Sequence, residues 1–585
     1  MINNLRRQTT DFANTLTGLL KAIHPGTWIA STCVCTLLTI SILPVSISRS
    51  ETEIHLCAAV IATAIIGCLA LCIRRNRMRF SLIDIIVLGW YAYAMCRVWL
   101  DATYPAAGFA IRATLMCLLY VAMRILLTGC TLPGKAIAML LILSALIEAG
   151  MGYSQLISGV SRHHLYPVTG SFLNPGPYSI FLTLGIVTLC ALRKTDSLSL
   201  SASVFMGIPL ALTVSRTAFL SLFVCLLIPY RDRIRGWKQW SLLIVTVLVC
   251  GVMLYLVKAG SAEGRWIINN IGIHCLATHI LFGNGIGSFF HSFALKTAEI
   301  SLQNPATDLS AVDVMDYAFD DLLLVGVEQG TIGLAFAVTL IIAVMKRLFT
   351  ECRPLFLTAL SLLTVSLFSY PFELLPYQII GTVITSYAAS EANDGITHEN
   401  KPSKPMARLI ATSILIPLCW IDYVCIHEIS LRLYAEKSYE LLAGIRDNAF
   451  TKDYYELLPL LDDNKRFLFD FALLLSDQGR YNDSNEMLRR GALISNDPMF
   501  IVLQGNNYRD MKAYELAEEA YLQAWHTMPN RIYPLYRVMK LHEQRADTVE
   551  AKAIAQKVIA FKEKIKSPAV NDMKREAKEI YRYEK

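Results

Sequence analysis

Apolar runs of about twenty residues, separated by short polar breaks, recur along the first three quarters of the chain. Each is long enough to cross about 30 Å of hydrocarbon as a helix. The pattern predicts spans near 28–46, 54–73, 81–99, 106–127, 133–158, 176–192, 197–214, 216–230, 239–257, 321–345, 355–371, 375–390 and 408–427. The first follows a polar stretch and lacks a small-residue cleavage site, so it reads as an anchor and not a removed signal. The fold class is therefore all-α: a polytopic helical bundle, then a soluble helical region.

From 428 to 585 the pattern changes to amphipathic helices that repeat. "GRYNDSNEMLRRGA" starts at Gly479, "KAYELAEEAYLQAWHTMP" at Lys512 and "ADTVEAKAIAQKVIAF" at Ala546. Ser484, Ala517 and Ala551 follow one another at intervals of 33 and 34 residues. A small residue there, a bulky one four later and a helix-ending Pro529 resemble the tetratricopeptide repeat, a helix–turn–helix unit. Such a region binds peptide or protein partners.

The formal net charge of +7 sits in the membrane part, since residues 429–585 carry 25 Lys and Arg against 24 Asp and Glu. Arg6, Arg7 and Lys21 precede the first span, and Arg74, Arg75, Arg77 and Arg79 follow the second. Later clusters are Arg193 and Lys194; Arg231, Arg233, Arg235 and Lys238; Lys346, Arg347 and Arg353; and Lys401, Lys404 and Arg408. With the N-terminus inside and thirteen spans, every cluster falls on the cytoplasmic side. The charge thus sets orientation and does not indicate nucleic-acid binding. The division that follows is a cytoplasmic 1–27, a membrane domain 28–390, a cytoplasmic linker 391–407, a last span 408–427 and an external 428–585. A long loop at 258–320 lies on the same external side. None of the 15 cysteines falls in the tail, and no C-x-x-C pair offers a zinc site.

Candidate chemistry gathers at the external ends of the spans. "GSFLNPGPYSIFL" (170–182) interrupts the hydrocarbon, with Asn174 placed as N-cap, Pro175 and Pro177 in the first turn and Arg162, His163 and His164 just upstream. A helix N-terminus there suits an anion. Arg216 opens a span in "TVSRTAFLSLF", and Arg265 lies early in the long loop, ahead of "LFGNGIGSFFHSF". Asp320 and Asp321 start the span at 321–345, with Glu328 and Gly330 about two turns in. Charges at that depth usually face a polar cavity.

The "GSFLNP" re-entry, the "SRTA" helix start, "GRW" followed by "GNGIGSF", and "FDDLLLVGVEQGTIGL" after a long loop resemble, in that order, the O-antigen ligase and polymerase superfamily, which includes bacterial O-linked oligosaccharyltransferases. The likeness covers roughly residues 28–390. It implies a multi-pass enzyme of the bacterial inner membrane with a GT-C-like bundle and a periplasmic tail. Such an enzyme transfers a glycan from undecaprenyl pyrophosphate to a hydroxyl of lipid A-core or of a protein, without metal or other cofactor. Carried over by position, Arg216 and Arg265 would grip the pyrophosphate, with Asn174 and Arg162 beside them.

One position departs from the family: Phe319 stands where the proposed activating His is usual, and Asp320 where Asn is. A carboxylate (Asp320, Asp321 or Glu328) then serves as base, or His164 or His291 reaches the site. Of these, Glu328 is expected to hold an arginine in position, and one of the two aspartates to take the proton. Polymerisation of repeat units, a non-catalytic scaffold and a transporter of envelope glycans are the alternatives, although paired inverted halves are absent.

Overall fold

The structure, a computed structural model, describes residues 25–42, 49–74, 80–130, 132–192, 197–230, 259–305, 307–391, 403–445, 447–563 and 567–582. The described residues are helical, without strands. The bundle helices are α1 Pro25–Ile42, α2 Arg49–Arg74, α3 Leu82–Leu100, α4 Ala107–Gly129, α5 Gly134–Ser158, α6 Pro175–Ala191, α7 Ser197–Thr213 and α8 Arg216–Tyr230. Next come α9 Ala259–Leu276 and α10 Phe289–Gln303, then α11 Asp321–Glu351, α12 Arg353–Ser366, α13 Leu375–Glu391 and α14 Lys404–Leu442.

Each apolar run within the described residues forms a helix at nearly the expected place. Among them, six helices are long and apolar enough to cross a membrane: those at 50–73, 82–100, 107–129, 134–158, 321–351 and 405–442. The run at 239–257 and the basic clusters at 75–79, 193–194 and 231–238 lie outside the described residues.

The core of the bundle is built mainly from α1, α2, α4, α5, α6 and α13, with residues of α3, α7, α8, α11, α12 and α14 joining it. The helix that follows the proline break, α6, is the most enclosed, with buried positions all round it. An all-round apolar helix belongs at the centre of a bundle. Among the described residues one ion pair is buried: Arg124 of α4 grips both oxygens of Asp84 of α3 at 2.8 and 3.0 Å, and Tyr120 donates to the same carboxylate at 2.6 Å. Both charges are thereby satisfied away from water.

Three expectations need revising. The stretch 258–320 is not an open loop, because it contains α9 and α10. The expected last span is only the middle of a 39-residue helix, α14, that carries the chain without a break into the tail. The span beginning at Asp321 is not one continuous helix either: Gly330 stands at φ 69°, ψ −166°.

That interruption is filled by the glycine-rich segment 280–285. Thr331 and Ile332 donate to the Ile280 and Leu281 carbonyls at 2.8 and 3.3 Å. Asn284 and Gly285 donate back to the Val327 and Glu328 carbonyls at 2.8 and 3.1 Å. The Tyr93 hydroxyl donates to the Gln329 carbonyl at 2.7 Å. Backbone groups freed by the break are thus paired with protein, which a buried interruption demands. A Cβ on Gly330 would lie 2.3 Å from the Leu281 oxygen, so the two segments meet at backbone contact.

The tail is a stack of helical hairpins: α15 Thr451–Leu457, α16 Lys465–Asp477 with α17 Tyr481–Leu493, α18 Met499–Asp510 with α19 Tyr514–Thr527, α20 Ile532–Gln544 with α21 Thr548–Ala560, and α22 Pro568–Arg582. The turn inside each pair repeats one geometry, with Gly479, Lys512 and Ala546 all at positive φ. In each, the next amide reaches back five residues: Arg480 to Leu475, Ala513 to Tyr508 and Asp547 to His542. This is the Schellman way of ending a helix. Ser484, Ala517 and Ala551, the small residues of the repeat, are all buried.

Candidate functional site

At the end of the bundle that carries 259–320, the proline break is held from below by α5. Gln155 accepts from the Thr169 and Gly170 amides at 2.8 and 2.9 Å and donates to the Gly170 carbonyl at 2.7 Å. Glu148 accepts from the Ser171 amide at 3.0 Å and from its hydroxyl. Gly170 has φ +56°, and a Cβ there would lie 2.3 Å from a Glu148 oxygen. The far side is closed by Tyr377 of α13, whose hydroxyl donates to the Pro177 carbonyl at 2.5 Å. Asn174 caps α6 as the sequence suggests, its Oδ1 taking the Gly176 amide at 2.9 Å. Arg162 is exposed, close enough to Glu148 to act on it electrostatically.

Glu148 and Gln155 escaped the sequence reading. The signal was present: Glu148 is the only acid in the apolar run 134–158. A lone intramembrane carboxylate marks a site by default.

Arg216 is the first residue of α8, directly after a tight turn in which Val214 has φ 49°. A β-branched residue there is strained, and such strain persists only where the surroundings enforce it. Arg265 projects from α9. Its Nη1 donates to the Phe368 carbonyl at 2.7 Å, and its guanidinium lies 5.3 Å from the centre of the Phe319 ring. Phe319 stands edge-on to Tyr370, which stacks on Tyr317 at 4.1 Å. Burial, and then the positive charge of Arg216 beside it, lower the pKa of Arg265. Neither arginine forms an ion pair with a carboxylate among the described residues. Two guanidiniums placed so, without a carboxylate among the described residues, leave their donors open to an acceptor.

The adjacent aspartates divide their work. Asp320 is the N-cap of α11, one oxygen accepting from the Leu322 and Leu323 amides at 3.0 Å each. Asp321 is buried, accepts from the Phe372 amide at 3.3 Å, and faces a cavity of about 460 Å³. Glu328 and Glu373 face the same cavity. Its walls are otherwise mostly apolar, among them Trp90, Phe109, Met116 and Leu340, with Arg112 also lining it.

Glu328 departs from expectation. Among the described residues it holds no arginine; its carboxylate faces the Phe289 amide, 3.5 Å away at the start of α10. Arg265 is steadied by the Phe319 ring and the Phe368 carbonyl. Phe319, which looked like a lost histidine, is the platform for an arginine.

The two candidate histidines lie elsewhere. His164 is exposed and stacked on His163 at 4.9 Å. His291 turns to the tail, its Nδ1 donating to the Ala492 carbonyl at 3.0 Å. Burial lowers its pKa, against the pull of that bond.

No protein-family profile matches this chain, and no curated protein matches it.

Proposed function

We propose that this protein is a membrane transferase that moves a glycan from a polyprenyl-pyrophosphate carrier to an acceptor hydroxyl at the bilayer edge. The observation that carries this reading is the pair Arg216 and Arg265, close enough to act on each other electrostatically and, among the described residues, without a carboxylate partner, at the same end of the bundle as the apolar cavity. A pyrophosphate would neutralise both guanidiniums, and Arg216 adds the positive end of α8. The cavity beneath Asp321 has the apolar walls that a prenyl chain requires.

In the proposed reaction the acceptor oxygen attacks the anomeric carbon while the bond from that carbon to the pyrophosphate breaks. The hydroxyl proton passes to a carboxylate. Asp321 suits this role better than Asp320, because Asp321 faces the cavity while Asp320 caps α11. The leaving pyrophosphate keeps the electron pair, and the two arginines stabilise its charge. The tail and residues 259–320 lie, on this reading, outside the cytoplasm.

The test uses the full-length protein in lipid nanodiscs with undecaprenyl pyrophosphate as probe. Wild type should bind it, and Arg216→Ala or Arg265→Ala should each lose binding at least about tenfold while inserting normally. Lys in either place should restore only part of it. Deleting the gene, followed by mass analysis of lipopolysaccharide and glycoproteins, names the acceptor. Unchanged glycans in both fractions would remove the transferase reading, and a reporter active only in the cytoplasm after residue 428 would remove the orientation.

A further inference from the structure

The segment 310–316 joins α10 to Phe319 and is irregular, with residues 312–315 free of helix or turn. Successive turns between the tail hairpins hold its backbone. Asn530 donates to the Ser310 carbonyl at 2.9 Å and also to that of Val312. Asn496 donates to the Asp313 carbonyl at 3.0 Å and accepts from the Met315 amide at 2.9 Å. Asn496 and Asn530 are equivalent positions one repeat apart. Charge adds a further match, because Arg531 pairs with Asp313 at 2.5 Å and Lys465 with Asp316. As the segment advances it meets the third, second and first of these turns in order.

Its apolar side chains point the other way. Leu309, Val312, Met315 and Ala318 are buried in one cluster with Ile268 and Ile271 of α9, and Phe319 packs against it. Arg265 belongs to that same helix α9. The segment is thus a strap: the tail reads its main chain, and its apolar edge supports the helix and the ring that carry the anion site.

We propose that Asn496 and Asn530 are positioning residues, and that by fixing the strap the hairpin domain sets the place of Phe319, Arg265 and the start of α11. The link to anion binding rests on the function proposed above; the mechanical link does not. The two amides read the main chain, while the Asp313 and Asp316 ion pairs and the buried apolar edge read the side chains, so both fix the register of the strap.

The experiment compares wild type, Asn496→Ala, Asn530→Ala and Asn496→Asp as full-length proteins in nanodiscs. Hydrogen exchange is followed across 309–323, and binding of undecaprenyl pyrophosphate is measured alongside. In Asn496→Ala, exchange should rise by about tenfold at Met315 and also at the Leu322 and Leu323 amides. Affinity for the probe should fall several-fold. Asn530→Ala should act in the same direction, and Asn496→Asp, which keeps the acceptor for Met315, should be intermediate. Faster exchange confined to 310–316, with Leu322 and Leu323 unchanged, overturns the proposal. So does released exchange at the helix start with wild-type affinity for the probe. If wild type itself fails to bind the probe, the pyrophosphate reading falls, and exchange at Leu322 and Leu323 alone decides whether the strap positions this end of α11.

Discussion

The guanidinium of Arg265 lies over the ring of Phe319 with 5.3 Å to its centre, and one of its nitrogens is fixed on the Phe368 carbonyl. The aromatic face orients the cation without neutralising it, which a carboxylate would do. An arginine held this way keeps its full charge for a ligand. Replacing Phe319 by Leu should therefore weaken binding of undecaprenyl pyrophosphate by roughly 0.5 to 2 kcal/mol, while Tyr should preserve it. Equal affinity in Phe319→Leu, measured by titration of the nanodisc protein, would detach the ring from the site.

The two aspartates should separate cleanly. Asp320→Asn keeps an acceptor for the Leu322 and Leu323 amides and should leave both stability and transfer close to wild type; Asp320→Ala should lose about 1 kcal/mol of stability. Asp321→Asn should lower transfer by about a hundredfold or more, with carrier binding retained. Normal transfer in Asp321→Asn would assign the base elsewhere, with Glu373 the next carboxylate on the cavity.

Gly330 and Gly283 interlock, so neither should tolerate a methyl group. The added Cβ would lie 2.3 Å from the Leu281 oxygen in one case and 2.5 Å from Glu328 backbone atoms in the other, at positive φ in both. Gly330→Ala and Gly283→Ala should each destabilise the protein by roughly 2 to 5 kcal/mol. Gly207, inside α7 with open space around it, is the control: Ala there should be neutral or stabilising. Thermal unfolding in detergent checks all three.

In the tail, Lys512 and Ala546 occupy the left-handed position that Gly479 fills without strain. Lys512→Gly and Ala546→Gly should each raise the stability of the hairpin stack by roughly 0.5 to 1 kcal/mol, and Gly479→Ala should lower it. Denaturant titration followed by helical circular dichroism would show the opposite sign if side-chain contacts of Lys512 or Ala546 outweigh backbone strain.

Two histidines lie where α10 meets the tail: His291 on Ala492, and His526 beside Ser301 at 3.0 Å. Burial lowers both pKa values, and Lys557 lowers that of His526 further. A group whose pKa is depressed by docking binds protons better when undocked. The contact should therefore be fully stable above the ordinary histidine value of about 6.5 and weaken as the pH falls below it. Hydrogen exchange in α10 should rise between pH 7 and 5.5 after correction for the intrinsic rate. The double variant His291→Asn, His526→Asn should flatten that response; an unaltered pH dependence in it would exclude the histidines.

The sequence by itself determined the helices of the apolar runs and of the tail, but not α9 and α10. Run length, the proline at a helix start and the asparagine cap are local properties, so the spans, the cap Asn174 and the 33- to 34-residue period of the tail could be read directly. What it could not determine were partners far apart in the chain. Nothing local says that Glu148 will meet Ser171, that Phe319 will lie under Arg265, or that Gly330 will open its helix to admit residues 280–285. Those pairings depend on which faces pack together, and packing is a property of the assembled bundle. The tertiary structure alone took Glu328 away from the arginines, turned His291 toward the tail, and laid residues 310–316 across Asn496 and Asn530. Burial explains why such contacts are made: a polar group withdrawn from water must find a partner wherever the fold brings one within reach.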